Sequence, residues 1–206
     1  MKYIKMATSF NFGEVVSVII ASALLPFLPE TPIQLLVEGL LYDFGQMTIP
    51  FDNVDKEFVD KPKKLDIKNL KRFMIFMGPV SSVFDLVVFA LLWFVFMVRD
   101  VVHFQTIWFT YSIVSNLVGM HIIRTAKIPF IQSNANKAVY ISSILLIVVG
   151  ILVPFSTLGV AIGLVPIAAK YIWMIFGVTL LYCILASFTK KIYIKKGNKT
   201  HDNTGK

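Results

Sequence analysis

The chain has 206 residues, of which 56% are hydrophobic, with a mean hydropathy of +0.73 and 18 phenylalanines. This is more apolar surface than a soluble domain of that length buries, so the composition excludes an ordinary soluble enzyme and predicts an all-α membrane protein. The net charge of +8 requires no nucleic-acid partner, because the basic residues are distributed as in the cytoplasmic loops of membrane proteins.

Six apolar windows follow one another along the chain. Each approaches the length of about 20 residues that a helix needs to cross a hydrocarbon core about 30 Å thick. Together they predict a six-helix transmembrane domain over residues 1–189, followed by a basic tail over residues 190–206. The predicted spans lie near residues 12–29, 32–50, 73–98, 106–123, 138–156 and 165–188.

Prolines mark the predicted breaks between and within these spans. Pro26, Pro29 and Pro32 lie in "PFLPETP" between the first two windows. Because proline cannot continue a straight helix, this segment predicts a tight hairpin. Pro79 lies near the start of the third window and predicts a kink there.

The basic residues predict the orientation in the membrane. With the N-terminus in the cytoplasm, 18 of the 20 Lys and Arg residues lie inside, and only Arg99 and Lys170 lie outside. The longest polar segment between spans, residues 51–72, is then a cytoplasmic loop. The sequence therefore predicts a multi-pass protein in contact with the lipid bilayer, with both termini in the cytoplasm.

Known catalytic motifs are missing from these 206 residues. The sequence has no G-x-x-x-x-G-K-[ST] phosphate-binding loop, no H-E-x-x-H and no G-x-S-x-G. Cys183 is the single cysteine, and the three histidines do not have the spacing of a metal site. We therefore predict no catalytic and no nucleotide-binding residue in this chain.

Polar residues inside the apolar windows are the candidate site residues, because an ionised side chain costs about 2.5 to 3.5 kcal/mol at the centre of a membrane helix. Asp43 shares a predicted helix face with Gly39 and Gln46, and Asn11 shares one with Glu14. The hairpin makes these two spans neighbours, so the acidic faces can meet. Carboxylate and amide oxygens suit a hard cation, so Asp43, Glu14 and Asn11 are predicted metal ligands.

Structural alternatives stay open for each of these residues. Asp43 and Glu14 could form hydrogen bonds between helices, and Glu14 could be solvated at the membrane interface. Gln46, Asp85 and Asn116 could belong to an ion path or pack between helices. For Asp85 the alternatives are a structural hydrogen bond to a neighbouring helix and a role in ion passage.

Four segments resemble one known family. These are "KYIKMATSFNFGEVVSV", "LLYDFGQMTIPFDNVD", "RFMIFMGPVSSVFD" and "HIIRTAKIPFIQS". Their order resembles the C-terminal membrane part of the bacterial P-type ATPases that transport magnesium. The resemblance implies that the spans are the fifth to tenth helices of such a pump, with Asn11, Glu14 and Asp43 at cation-site positions. It also implies magnesium as the transported ion, import into the cytoplasm and a bacterial plasma membrane location.

The sequence departs from that family at two site positions. Gly39 stands where the family usually has Asn, which removes a side-chain ligand, and Glu14 stands where magnesium pumps often have Asn. The D-K-T-G-T phosphorylation motif and the catalytic domains of this translocase family are also missing. The chain therefore resembles a fragment that uses ATP only through absent domains, with the missing N-terminal part or a full-length pump as its partner.

The segment after the second span has an implied role of its own. In a complete pump, residues 51–72 would meet the phosphorylation domain, with Asp52, Asn53 and Asp55 capping or contacting it. The alternative is a solvated helix end. A standalone six-helix protein, acting as a passive cation pathway or as a pump regulator, is the alternative to the pump fragment as a whole.

Overall fold

The computed structural model describes residues 2–52, 67–125, 129 and 132–202. The described residues are mostly helical, which confirms the all-α prediction. Short 3₁₀ turns follow the second and fifth helices, and a π-helical turn follows the third. The α-helices are α1 (Lys2–Leu24), α2 (Pro32–Gln46), α3 (Ile67–Ala90), α4 (Val101–Ile123), α5 (Lys137–Leu152), α6 (Thr157–Ala161) and α7 (Ala169–Asp202).

Within the described residues, five helices are long and apolar enough to cross a membrane, judged by length and composition. This confirms the prediction of a multi-pass membrane protein. The second predicted span is shorter than expected, because α2 has 15 residues and is therefore about 22 Å long. Six crossings and two cytoplasmic termini stay predictions. The five candidate spans are residues 7–24, 70–95, 101–123, 137–155 and 169–193.

The last helix is longer than the sequence indicated. α7 continues through residue 188 to Asp202, so most of the segment predicted as a tail from residue 190 is helical. Lys190 is buried, and its ammonium group donates to the carbonyl oxygens of Ile122 at 2.8 Å and Thr125 at 3.1 Å. This lysine therefore supplies donors to backbone carbonyls at the C-terminal end of α4.

Helix α4 lies at the centre of the bundle and contacts α1, α2, α5 and α7. Every residue from 104 to 115 is buried. Trp108 stacks on Phe89 of α3 with ring centroids 4.1 Å apart. A helix that is apolar around most of its circumference lies either inside a protein or in lipid, and α4 is enclosed by the protein.

Helices α1 and α3 approach each other at backbone distance. A Cβ atom placed on Gly13 would lie 2.1 Å from Ser81 Oγ and 3.0 Å from the Gly78 carbonyl oxygen, so a larger residue would require Ser81 to rotate and the two backbones to shift slightly apart. The Gly13 carbonyl oxygen accepts a hydrogen bond of 2.8 Å from Ser82 Oγ. Small residues and hydroxyl groups of this kind are the usual means of close helix packing in membranes.

A buried ion pair joins three distant segments at one end of the bundle. Arg124 donates from Nη1 to both Asp52 oxygens at 3.2 and 3.0 Å, and both side chains are 1% exposed. Arg124 Nη2 also donates to the Ser133 carbonyl oxygen, and the Asn136 backbone N–H donates to Asp52 Oδ1. We call these four residues the Asp52–Arg124 clamp.

The clamp decides one of the alternatives left by the sequence. Asp52 is not part of a solvated helix end, because its carboxylate is enclosed and paired with Arg124. Asn53 and Asp55, which the sequence grouped with Asp52, lie outside the described residues.

Pro79, where the sequence predicts a kink, lies inside α3, which remains helical from Ile67 to Ala90.

Candidate functional site

Three glutamates from consecutive segments meet inside the bundle. Glu14 comes from α1, Glu30 from the link over residues 25–31, and Glu38 from α2. One carboxylate oxygen from each lies within 4.8 Å of the other two. Glu30 is 7% exposed and Glu38 2% exposed, while Glu14 is half-buried. We call this group the carboxylate triad.

Local hydrogen bonds at the start of α2 explain how Glu30 reaches the bundle interior. Thr31 caps α2, and the Thr31 backbone N–H donates to Gln34 Oε1 at 3.0 Å in a reciprocal capping box. Gln105 of α4 donates to the Leu28 carbonyl oxygen at 2.9 Å. These contacts hold the link against α4, so Glu30 is turned into the bundle and not into solvent.

The triad is bordered by polar groups of α4, yet several of its own atoms have no hydrogen-bond partner. Asn116 Nδ2 donates to Glu38 Oε1 at 3.2 Å, and Ser112 lies beside Glu38. The Glu38 carboxyl group and the Trp108 indole lie beside Glu30 without forming hydrogen-bond geometry. Among the described residues, neither Glu30 oxygen has a partner, nor has Glu38 Oε2 or Trp108 Nε1.

The triad is also without a basic counter-charge in the described part of the chain. The ion pairs found there join His103 to Asp100 and Arg124 to Asp52, and neither involves the triad. Buried carboxylates without a basic partner repel one another and lose hydration, which disfavours their charged form. Such a group is stable when it shares protons or binds a cation.

Buried polar residues follow α2 at four-residue spacing. Gln34, Glu38, Tyr42 and Gln46 are all buried, and this spacing places them along one side of the helix.

Sequence reasoning did not select Glu30 or Glu38 as site residues. The four-residue repeat of polar side chains in an apolar window was the signal for Glu38, whereas Glu30 carried none because glutamate in a proline-rich turn is usually solvated.

The sequence-predicted ligands are placed differently. Glu14 lies in the triad, while Asp43 and Asn11 are exposed on α2 and α1. Asp43 follows Glu38 by five residues, which puts the two about 140° apart around the helix axis. The acidic residue of α2 that lies near Glu14 is therefore Glu38 and not Asp43. Gly39 faces open space. Cation binding by Asp43, Glu14 and Asn11 stays a prediction.

The three residues predicted as ion path or packing are all at least partly buried. Asp85 is 8% exposed and accepts hydrogen bonds from Ser17 Oγ and, at 3.4 Å, from Tyr111 Oη. Gln46 is fully buried, and Asn116 binds Glu38 as described above. Asp85 therefore joins α3 to α1 and α4 by hydrogen bonds, which is the structural alternative left open by the sequence.

Comparison with known families decides where the chain belongs. Residues 27–192 match the family described as "Cation transporting ATPase, C-terminus". The chain belongs to this family. The match covers most of the chain and includes the link from residue 27 onward, α2 and the later helices as far as residue 192, so two of the three triad residues lie within it.

Individual relatives agree with this membership. The chain is 45% identical over 199 residues to "Magnesium-transporting ATPase, P-type 1" of Salmonella typhimurium strain LT2, and 42% identical to the protein of the same description from Escherichia coli K12. Each alignment covers 95% of this chain but 22% of the relative, so the chain spans about a fifth of their length. The family resemblance of the four sequence segments is confirmed, and the chain is a bacterial-type multi-pass membrane protein.

Proposed function

We propose that the chain is the cation-binding membrane part of a P-type ATPase that imports magnesium across a bacterial plasma membrane. The observation that carries this proposal is the position of Glu14, which extends from a membrane-length helix into a buried group of carboxylates. The proposal is supported by the family membership and by relatives that are named magnesium-transporting ATPases.

The chemistry of the acidic side chains is consistent with a hard cation. Magnesium prefers oxygen ligands and usually keeps part of its water shell, so a few carboxylates and an amide are sufficient protein ligands. We assign these roles to Glu14, Asp43 and Asn11. Asp43 and Asn11 are exposed here, which is the placement expected of ligands that complete their site with helices of the remaining pump.

The energy source lies outside the chain in this proposal. ATP acts through phosphorylation and nucleotide domains that these residues do not supply, and the chain contributes the ion path. The proposed arrangement has six membrane crossings with both termini in the cytoplasm. The remaining part of the pump, or a full-length pump, is the proposed protein partner.

A chimeric pump tests the function. This chain would replace the matching C-terminal part of the Salmonella relative, in a bacterial strain without its own magnesium uptake systems. We expect growth at low magnesium, and we expect Asp43→Asn and Glu14→Gln to lower magnesium uptake by about tenfold or more. Asp100→Asn is the matched control, because it makes the same change on an exposed carboxylate and should leave uptake unchanged.

The outcomes separate the alternatives. A correctly inserted chimera that gives no magnesium uptake contradicts the pump assignment. Full uptake with Asp43→Asn shows that the ligand assignment is wrong while the pump assignment stands. Magnesium flux through the chain alone in liposomes, without ATP, supports a passive cation pathway instead.

A further inference from the structure

We propose that Glu14, Glu30 and Glu38 form a binding site for one hard divalent cation, separate from the position assigned to Asp43. The proposal rests on the proposed function only for magnesium as the natural ion. The ability of the triad to bind a divalent cation is a property of this chain by itself.

The distances within the triad fit a single ion. Oxygen ligands lie about 2.0 to 2.6 Å from magnesium or calcium, so two ligands on opposite sides of an ion are about 4 to 5 Å apart. The three carboxylate oxygens lie within 4.8 Å of one another, and small side-chain rotations would bring all three onto one ion. Oxygen-only ligands favour magnesium, calcium or manganese over zinc or copper.

Unpaired buried atoms provide the second, independent argument. Glu30 is more than nine-tenths buried, and neither of its oxygens has a hydrogen-bond partner among the described residues. The indole N–H of Trp108 is fully buried beside Glu30 and is also unpaired there. Unpaired buried polar groups are rare. A bound ion would give the buried carboxylate oxygens a partner, and a Glu30 oxygen would remain to accept a hydrogen bond from the Trp108 indole.

The position is distinct from that of Asp43 because of the helix geometry. Glu38 lies on the buried face of α2, next to Asn116 of α4, whereas Asp43 lies on the exposed face. Glu14 is the residue that both positions can share, since it enters from α1. An ion held by Glu30 and Glu38 is therefore enclosed by the link, α2 and α4.

Thermal unfolding and manganese binding of the complete 206-residue chain in lipid nanodiscs test the site. Mn²⁺ is the probe because it accepts the same oxygen ligands and is read directly by electron paramagnetic resonance. We expect Mn²⁺ to raise the unfolding temperature of the wild-type chain, because a ligand that binds only the folded state stabilises it. Mg²⁺ should displace the bound Mn²⁺.

Single substitutions show which glutamates bind Mn²⁺. Glu30→Gln and Glu38→Gln should each weaken Mn²⁺ binding by about tenfold or more and remove the rise in unfolding temperature. Asp100→Asn, the same chemical change on an exposed carboxylate, should retain both. Unfolding temperatures in chelator at or above the wild-type value show that the two glutamine variants are folded.

Two results would overturn the site. One is wild-type chain that binds no Mn²⁺, which means that the triad shares protons instead. The other is unchanged binding in Glu30→Gln and Glu38→Gln, with a loss only in Glu14→Gln. The second result leaves the chimera experiment and the proposed function intact, so the failures of the two proposals are distinguishable.

Discussion

The carboxylate triad and the Asp52–Arg124 clamp are both buried and charged, yet their partners differ. In the clamp, the Asp52 carboxylate meets a guanidinium group at two short distances and a backbone N–H. In the triad, Glu30 meets other carboxylates and an indole outside hydrogen-bond geometry. A paired buried charge fixes three segments together, whereas an unpaired group of acids is a place where an ion or protons can bind. The difference separates a charge that is paired within the chain from a group that is a candidate ion site.

The largest expected effect comes from removing the basic half of the clamp. Arg124→Ala leaves the Asp52 carboxylate buried without its counter-charge, which typically costs about 3 to 5 kcal/mol. We expect the free energy of unfolding, measured by denaturing-detergent titration in mixed micelles, to fall by this amount. Arg99→Ala is the control, because Arg99 is exposed over the Trp93 ring. Equal effects of the two variants would show that the clamp carries no special stability.

Removing charge from the triad should raise the free energy of unfolding, by less than the loss of Arg124 lowers it. In chelator at mildly alkaline pH, the double variant Glu30→Gln with Glu38→Gln should raise the free energy of unfolding by on the order of 1 kcal/mol, because like-charge repulsion is relieved. The same detergent titration measures it. A fall of several kcal/mol in the free energy of unfolding would show that the triad, like the clamp, stabilises the fold.

The smallest effect is expected at an exposed acid. Asp100 caps α4, and the His103 backbone N–H and then the His103 ring lower the pKa of Asp100 from 3.8. Because the folded-state pKa is the lower one, this stabilisation is present above pH 3.8 and is lost as the pH falls through the folded-state value. Asp100→Asn keeps a good cap but cannot titrate. The unfolding temperature of this variant should therefore fall less than that of the wild type when the pH is lowered.

Much of the helical architecture could be predicted from the sequence, because long apolar windows leave few alternatives. The third to sixth predicted spans overlap α3, α4, α5 and α7, and the helices extend beyond the predicted spans mainly where polar residues continue them. α7 is the clearest case. Lys190 was predicted to begin a basic tail, yet its ammonium group donates to backbone carbonyls at the end of α4, a contact that no local pattern encodes.

The candidate site was only partly predictable, since it depends on contacts far apart in sequence. Glu14 was found because an acid in an apolar window is costly. Glu30 was missed because its direction depends on the hydrogen bond from Gln105 to Leu28, which are 77 residues apart. The clamp was missed for the same reason, as Asp52 and Arg124 are separated by 72 positions.

The close approach at Gly13 limits how the triad can change shape. The backbones of α1 and α3 are already near contact distance at Gly13, since a Cβ atom there would lie 3.0 Å from the Gly78 carbonyl oxygen. Hydrogen bonds from Ser82 to Gly13 and from Ser17 to Asp85 resist separation of the two helices. The backbone of Glu14, the next residue along α1, is therefore held by the packing of α1 against α3. A change in the shape of the triad therefore has to come from the side chain of Glu14 or from α2 and its link, because the backbone of α1 is held against α3.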